Sequence, residues 1–174
     1  MLLMQSLKKR WAVAVVCVAV LMGCTSIDCP LDSTVEMTCN LYAKETAKSL
    51  TLTDTLTVTA RGTDQVLLNR GISLDHFGLS LRYRSGVDTL LFRFSNDIGQ
   101  YAVDTVFVDH TATVHFESEG CPVSYYHAIN EVRWTSHPLA LMPLTIDNIE
   151  IKRNQVDYEN AENLRIYLRA TTDE

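Results

Sequence analysis

Polar and apolar residues alternate along most of this chain with a period of two. From Leu50 to Ala60, Leu50, Leu52, Leu56, Val58 and Ala60 hold even positions, while Thr51, Thr53, Thr55, Thr57 and Thr59 hold the odd ones. Successive side chains of a strand leave opposite faces of a sheet, so this pattern predicts a half-buried strand with threonine outside. Asp54 interrupts the apolar row and predicts a bend between two shorter strands. Val35, Met37, Cys39, Leu41 and Ala43 repeat the pattern, as do Phe77, Leu79, Leu81 and Tyr83, then Leu90, Phe92 and Phe94. Val106, Val108, Ala112, Val114 and Phe116 share one parity in a long run that also puts His110 on its apolar face. Val123, Tyr125 and Ile129, then Val132 and Trp134, and last Leu164, Ile166, Leu168 and Ala170 complete the set.

Turn-forming residues punctuate these runs at Arg61-Gly62-Thr63-Asp64, Ser85-Gly86, Ser95-Asn96-Asp97 and Gly120. No window of helical period persists; the segment from Ala43 to Ser49 is short and reads as a connection. Eight or nine short strands, each with one apolar face, predict an all-β fold. The expected architecture is a two-sheet antiparallel β-sandwich, immunoglobulin-like or a related Greek key. Pro138 and Pro143 bracket Leu139, Leu141 and Met142 in a loop whose apolar residues fold onto the sandwich edge or form an exposed contact patch.

The first 24 residues follow another rule. Lys8, Lys9 and Arg10 precede an apolar run of 12 residues from Trp11 to Met22, too short to span a bilayer as a helix. Leu21-Met22-Gly23-Cys24 resembles the bacterial lipobox, which implies acylation of Cys24 as the first residue of the mature protein. The expected organisation is a removed lipoprotein signal peptide (1–23), an acylated N-terminus and tether (24–33) and one β-sandwich domain (34–174). Thr25 stands where an inner-membrane retention signal would put Asp, and Thr25-Ser26-Ile27-Asp28 lacks the acidic run of surface-exported lipoproteins. The expected location is therefore the outer membrane, facing the periplasm.

Charge narrows the partners. The chain carries 15 Lys and Arg against 21 Asp and Glu, and loss of Lys8, Lys9 and Arg10 leaves 12 against 21, a formal charge of −9. No basic stripe remains to neutralise phosphates, so nucleic acid is not an expected partner. Acyl chains, not charge, must hold such a body at a membrane.

Three cysteines remain after Cys24. Cys39 sits on an apolar strand face, where a thiol packs as a small hydrophobe. Cys29 and Cys121 lie beside turns, each followed by proline. A Cys29–Cys121 disulfide is expected, with a Cys29–Cys39 bridge or no bridge as the alternatives.

Candidate chemistry is sparse. His115 and Glu117 would share a strand face with Asp109, Thr111 and Thr113, but no third ligand stands at a convincing spacing, so no metal site is expected. His110 is expected as a core histidine bonded to backbone, and His127 and His137 to stand alone. Nucleophile-elbow, zincin, phosphate-loop and dinucleotide motifs are missing from the sequence, so neither an enzyme nor a cofactor is expected. Asp97, Asp104, Asp109, Glu117 and Glu119 include possible carboxylate pairs for glycoside hydrolysis, as any acidic chain does. Tyr101, Phe107, Tyr126 and Tyr158 fall on exposed parities and could line a sugar platform, but they are scattered in sequence.

Asp28-Cys29-Pro30, Val66-Leu67-Leu68-Asn69, the stretch from Phe116 to Cys121, and the closing segments Ile149-Glu150-Ile151 and Asn163-Leu164-Arg165-Ile166-Tyr167 carry a resemblance. The chain resembles a family of Bacteroidetes lipoproteins catalogued as domain of unknown function 6452. The resemblance independently implies a Cys29–Cys121 pair. It supplies no activity, ligand or catalytic residue, and suggests an envelope role beside an outer-membrane β-barrel protein. The loop Leu139-Ala140-Leu141-Met142-Pro143 departs from the family's pattern. The leading expectation is a non-catalytic envelope lipoprotein acting through protein contacts; a glycan- or small-ligand-binding module comes second and a hydrolase third.

Overall fold

The computed structural model describes Cys29, residues 34–138 and residues 144–170. The expected signal peptide, Cys24, the rest of the expected tether and the segment 139–143 lie outside the described residues. Ten strands follow one another: β1 (Met37–Ala43), β2 (Thr55–Ala60), β3 (Gln65–Gly71), β4 (His76–Leu79), β5 (Val87–Ser95), β6 (Tyr101–His115), β7 (Ser124–Thr135), β8 (Leu144–Ile151), β9 (Gln155–Val156) and β10 (Glu162–Ala170). They build a four-stranded sheet of order β4-β1-β10-β8 and a six-stranded sheet of order β3-β2-β5-β6-β7-β9. The two pack face to face around one core, as the alternation requires.

One pairing corrects the all-antiparallel expectation. β1 lies parallel to β10, with Cys39 opposite Leu164 and Leu41 opposite Ile166, while every other named pair is antiparallel. A parallel pair needs a long crossover rather than a hairpin, and eight intervening strands supply it. Of the two shorter strands expected around Asp54 only the second forms: Thr53 and Asp54 bend the chain and β2 begins at Thr55, while residues 50–52 lie in no strand.

β6 is the spine. It pairs with β5 from Tyr101 to Asp109 and with β7 from Thr105 to His115. Its even positions from Ala102 to His110 are all buried, but Val114 and Phe116 are 45% and 69% exposed. The shared parity therefore ends early, because β5 has run out at Asp109 and a two-stranded β6–β7 ribbon continues past it. On β7 the inner row changes from Ile129 to Val132. A register shift sets Asp109 opposite Glu131 and His110 opposite Ile129, so Asn130 is the extra residue of a bulge. β4 likewise stops at Leu79, leaving Leu81 and Tyr83 outside any strand.

Cys29 and Cys121 are joined by a disulfide across 92 residues, with Cα atoms 5.6 Å apart. A loop of that length contributes on the order of 4 kcal/mol by restricting the unfolded chain. Cys39 is a free, buried thiol on β1, and burial pushes its pKa far up, which makes it unreactive.

Candidate functional site

Four ionisable side chains interrupt the apolar inner rows: Asp88 on β5, Asp104 and His110 on β6, and His127 on β7. Each is at most 3% exposed. Strand parity puts them there, since Asp88 begins the row of Leu90, Phe92 and Phe94, and His127 lies between Tyr125 and Ile129. A buried polar group is tolerated only when its hydrogen bonds are satisfied. The four sort into two clusters that meet this demand differently.

Asp104 is enclosed. One carboxylate oxygen accepts from the His137 backbone N–H at 2.6 Å and lies 2.7 Å from His137 Nδ1. The other accepts from the Ile146 N–H at 2.7 Å and from Thr145 Oγ1 at 2.9 Å. These donors come from residues on either side of positions 139–143, so Asp104 ties the end of β7 to the start of β8. Every lone pair is used inside the protein.

Asp88 starts an open chain. Arg82 grips it with its backbone N–H at 2.8 Å and its Nε at 2.5 Å. His110 Nε2 lies 3.3 Å from the same carboxylate, and His110 Nδ1 lies 3.1 Å from His127 Nδ1. Burial opposes ionisation of Asp88, but the hydrogen bonds from His110 and Arg82 and the guanidinium charge outweigh it. Its carboxyl is held below the usual range. Burial first, then the neighbouring His110, push the His127 pKa down to about 4 against a weaker pull from Asp88, so His127 is neutral at pH 7.

Ionised Asp88 can only accept, so His110 Nε2 carries a proton. With His110 singly protonated, its Nδ1 is bare and His127 Nδ1–H must donate to it. His127 Nε2 is then left as a bare acceptor. A second proton on His110 would reverse the direction of the chain and turn that atom into a donor.

His127 meets a cleft of about 320 Å³ whose other lining residues include Thr34, Ser80, Leu81, Tyr83, Val123 and Tyr125. The cleft exists because β4 ends at Leu79 while the β6–β7 ribbon runs on, leaving its inner face uncovered. Tyr83 stacks on Tyr125, with ring centroids 4.2 Å apart and planes 16° apart, and the Arg84 guanidinium lies 5.2 Å from the Tyr83 centroid. A smaller dent of about 150 Å³ on the outer face of β2 and β5 is lined by Arg70, Arg93 and threonines, with no buried polar chain behind it.

The outer face of the ribbon carries a third cluster. His115 Nε2 lies 2.9 Å from Glu117, and its ring stacks on Tyr126 at 4.1 Å with Tyr158 edge-on at 5.9 Å. Tyr158 Oη is buried without a partner. Folding thus joins Tyr126 and Tyr158 from distant segments, whereas Tyr101 packs under Arg93 and Phe107 under Arg133. Among the described residues no three His, Cys, Asp or Glu side chains converge as a metal site.

Three expectations are corrected here. The His110 ring bonds to side chains and not to backbone; His127 contacts His110; and His137 contacts Asp104. No sequence motif points to Asp88, or to a role for His127. The available signal is a polar residue at a core parity, which a buried network alone can satisfy.

A family model described as Family of unknown function (DUF6452) matches residues 55–168. The match includes both buried clusters and Cys121 but leaves Cys29 and β1 outside. No curated protein and no solved structure matches the chain.

Proposed function

The chain belongs to the Family of unknown function (DUF6452), and on that premise we propose a non-catalytic bacterial lipoprotein, anchored at Cys24 in the outer membrane and facing the periplasm, that acts by contacting another envelope protein. The observation that carries the reading is the Cys29–Cys121 bridge. It fastens the segment five residues after Cys24 to the connection between β6 and β7, beside the exposed Phe116 and Val123. Anchor and apolar end would then share one side of the domain. A partner embedded in the same membrane, such as an outer-membrane β-barrel, meets that end directly. A mature charge of −9 disfavours an anionic lipid surface as the alternative contact.

Cross-linking in intact cells, followed by purification through a C-terminal tag, tests this. One reproducible, near-stoichiometric envelope protein is expected, and Phe116→Ser should weaken its recovery. A preparation free of any such protein contradicts the reading. Cys24→Ala should move the protein from the membrane to the soluble periplasmic fraction; unchanged membrane retention would refute the lipid anchor.

A further inference from the structure

Asp88 fastens the turn at Arg82, but the His110–His127 arm of the chain has no structural task that a plain apolar row could not perform. Leu90, Phe92, Val106 and Val108 fill neighbouring inner positions without it. Replacing a satisfied buried polar network by packed apolar side chains is commonly neutral or stabilising, so fold stability alone does not account for three linked ionisable groups. What the chain does achieve is orientation. Arg82 fixes Asp88, Asp88 fixes the His110 ring, and His110 fixes His127 at the wall of the cleft. The hydrogen bond to His110 occupies His127 Nδ1, which leaves Nε2 as the atom available to a ligand.

The lining sets the ligand's chemistry. Thr34, Ser80, Leu81, Tyr83, Val123 and Tyr125 line the cleft beside His127, and no lining side chain carries a formal charge while His127 is neutral. An anion or cation would lose its hydration there with no counter-charge in the lining itself. Hydroxyl-bearing and apolar side chains both line the cleft, which suits a ligand whose own surface combines hydroxyls with C–H groups. The volume of about 320 Å³ is at the lower end of small-ligand sites, which run from roughly 300 to 1,000 Å³.

We infer that this cleft is a binding site for an uncharged, polyhydroxylated ring, a neutral saccharide unit, oriented by a hydrogen bond from one of its hydroxyls to His127 Nε2. Tyr83, Tyr125, Leu81 and Val123 cover the C–H faces of the ring. The site shares Val123 with the protein contact proposed above, but Phe116 does not line it, so a substitution at Phe116 tells the two apart.

The test is NMR titration of the full chain, disulfide intact, with glucose, galactose, mannose, N-acetylglucosamine and their β-linked disaccharides, and with glucuronic acid as the charged control. At least one neutral sugar should shift the His127 imidazole and the Tyr83 and Tyr125 rings saturably at millimolar concentration, and glucuronic acid should bind more weakly. His127→Leu should weaken the interaction about tenfold, the equivalent of one hydrogen bond, and His127→Gln, which keeps an acceptor, should recover part of it. If His127→Leu fails to fold, the exposed Tyr83→Ala carries the test and should weaken binding as well, while Phe116→Ser leaves it unchanged. No response from any neutral sugar, tighter binding of glucuronic acid, or binding indifferent to His127 and Tyr83 would each overturn the inference.

Discussion

Two aspartates on neighbouring strands of one sheet point into the same core and each meets a histidine, yet they serve different ends. Asp104 is surrounded by donors from His137, Thr145 and Ile146 and ends there. Asp88 passes its influence through His110 to His127 and so to a cleft. Burial and an Asp–His contact therefore do not mark a working site. What distinguishes the two is whether the last polar atom of the chain is consumed by the protein or presented to something else.

The largest effect should come from the closed cluster. Asp104→Ala removes the partner of four groups, two on His137 and one each on Thr145 and Ile146, and should remove about 3–5 kcal/mol of stability in urea unfolding; a loss below about 1 kcal/mol would mean that Asp104 does not tie the end of β7 to the start of β8. Next in size is the staple. Cys29→Ser with Cys121→Ser should lower stability by on the order of 4 kcal/mol without disturbing the Asp104 contacts. An unchanged unfolding midpoint would show that the tether is held by other means.

Acid should separate the two clusters. His127 has its pKa depressed from 6.5 in the unfolded chain to about 4 in the fold, so the unfolded state binds the extra proton first as pH falls. Its contribution is fully present above pH 6.5 and is lost progressively down to about pH 4, a span worth about 3 kcal/mol. Asp88, whose carboxyl is also depressed, adds a loss of the same sign at still lower pH. In His127→Gln the step between these pH values should flatten, and in Asp104→Ala it should persist on a lower baseline; stability that rises on acidification would contradict the burial of a neutral His127. Smallest of all, Tyr83→Ala removes a half-exposed ring and should cost under about 1 kcal/mol in thermal unfolding. A larger loss would make the Tyr83–Tyr125 stack part of the core.

Much of this molecule is legible in its sequence. Period two marks the strands, Asp54 marks a bend, and the proline-flanked Cys29 and Cys121 mark the bridge. The failures have physical causes. Val114 and Phe116 keep the parity of Val106 but lose their cover where β5 ends, and strand length relative to a neighbour is a tertiary fact. The Asn130 bulge switches parity between Ile129 and Val132, which alternation alone reads as two strands. β1 against β10 is a pairing between distant segments that no local pattern encodes. For the site, the intrusion of Asp88, Asp104, His110 and His127 into apolar rows is visible in the alternation. Their partition into a closed cluster and an open one is not, because it depends on cross-strand register and on where β4 stops.

Long-range ¹H–¹⁵N correlation of the histidine rings at pH 7 tests the open cluster most directly. With His110 singly protonated, the hydrogen-bond chain from Asp88 requires His127 as a neutral ring protonated at Nδ1, with a bare Nε2. An Nε2–H tautomer or an imidazolium at His127 would contradict it, because the chain would then end in a donor and not in an acceptor.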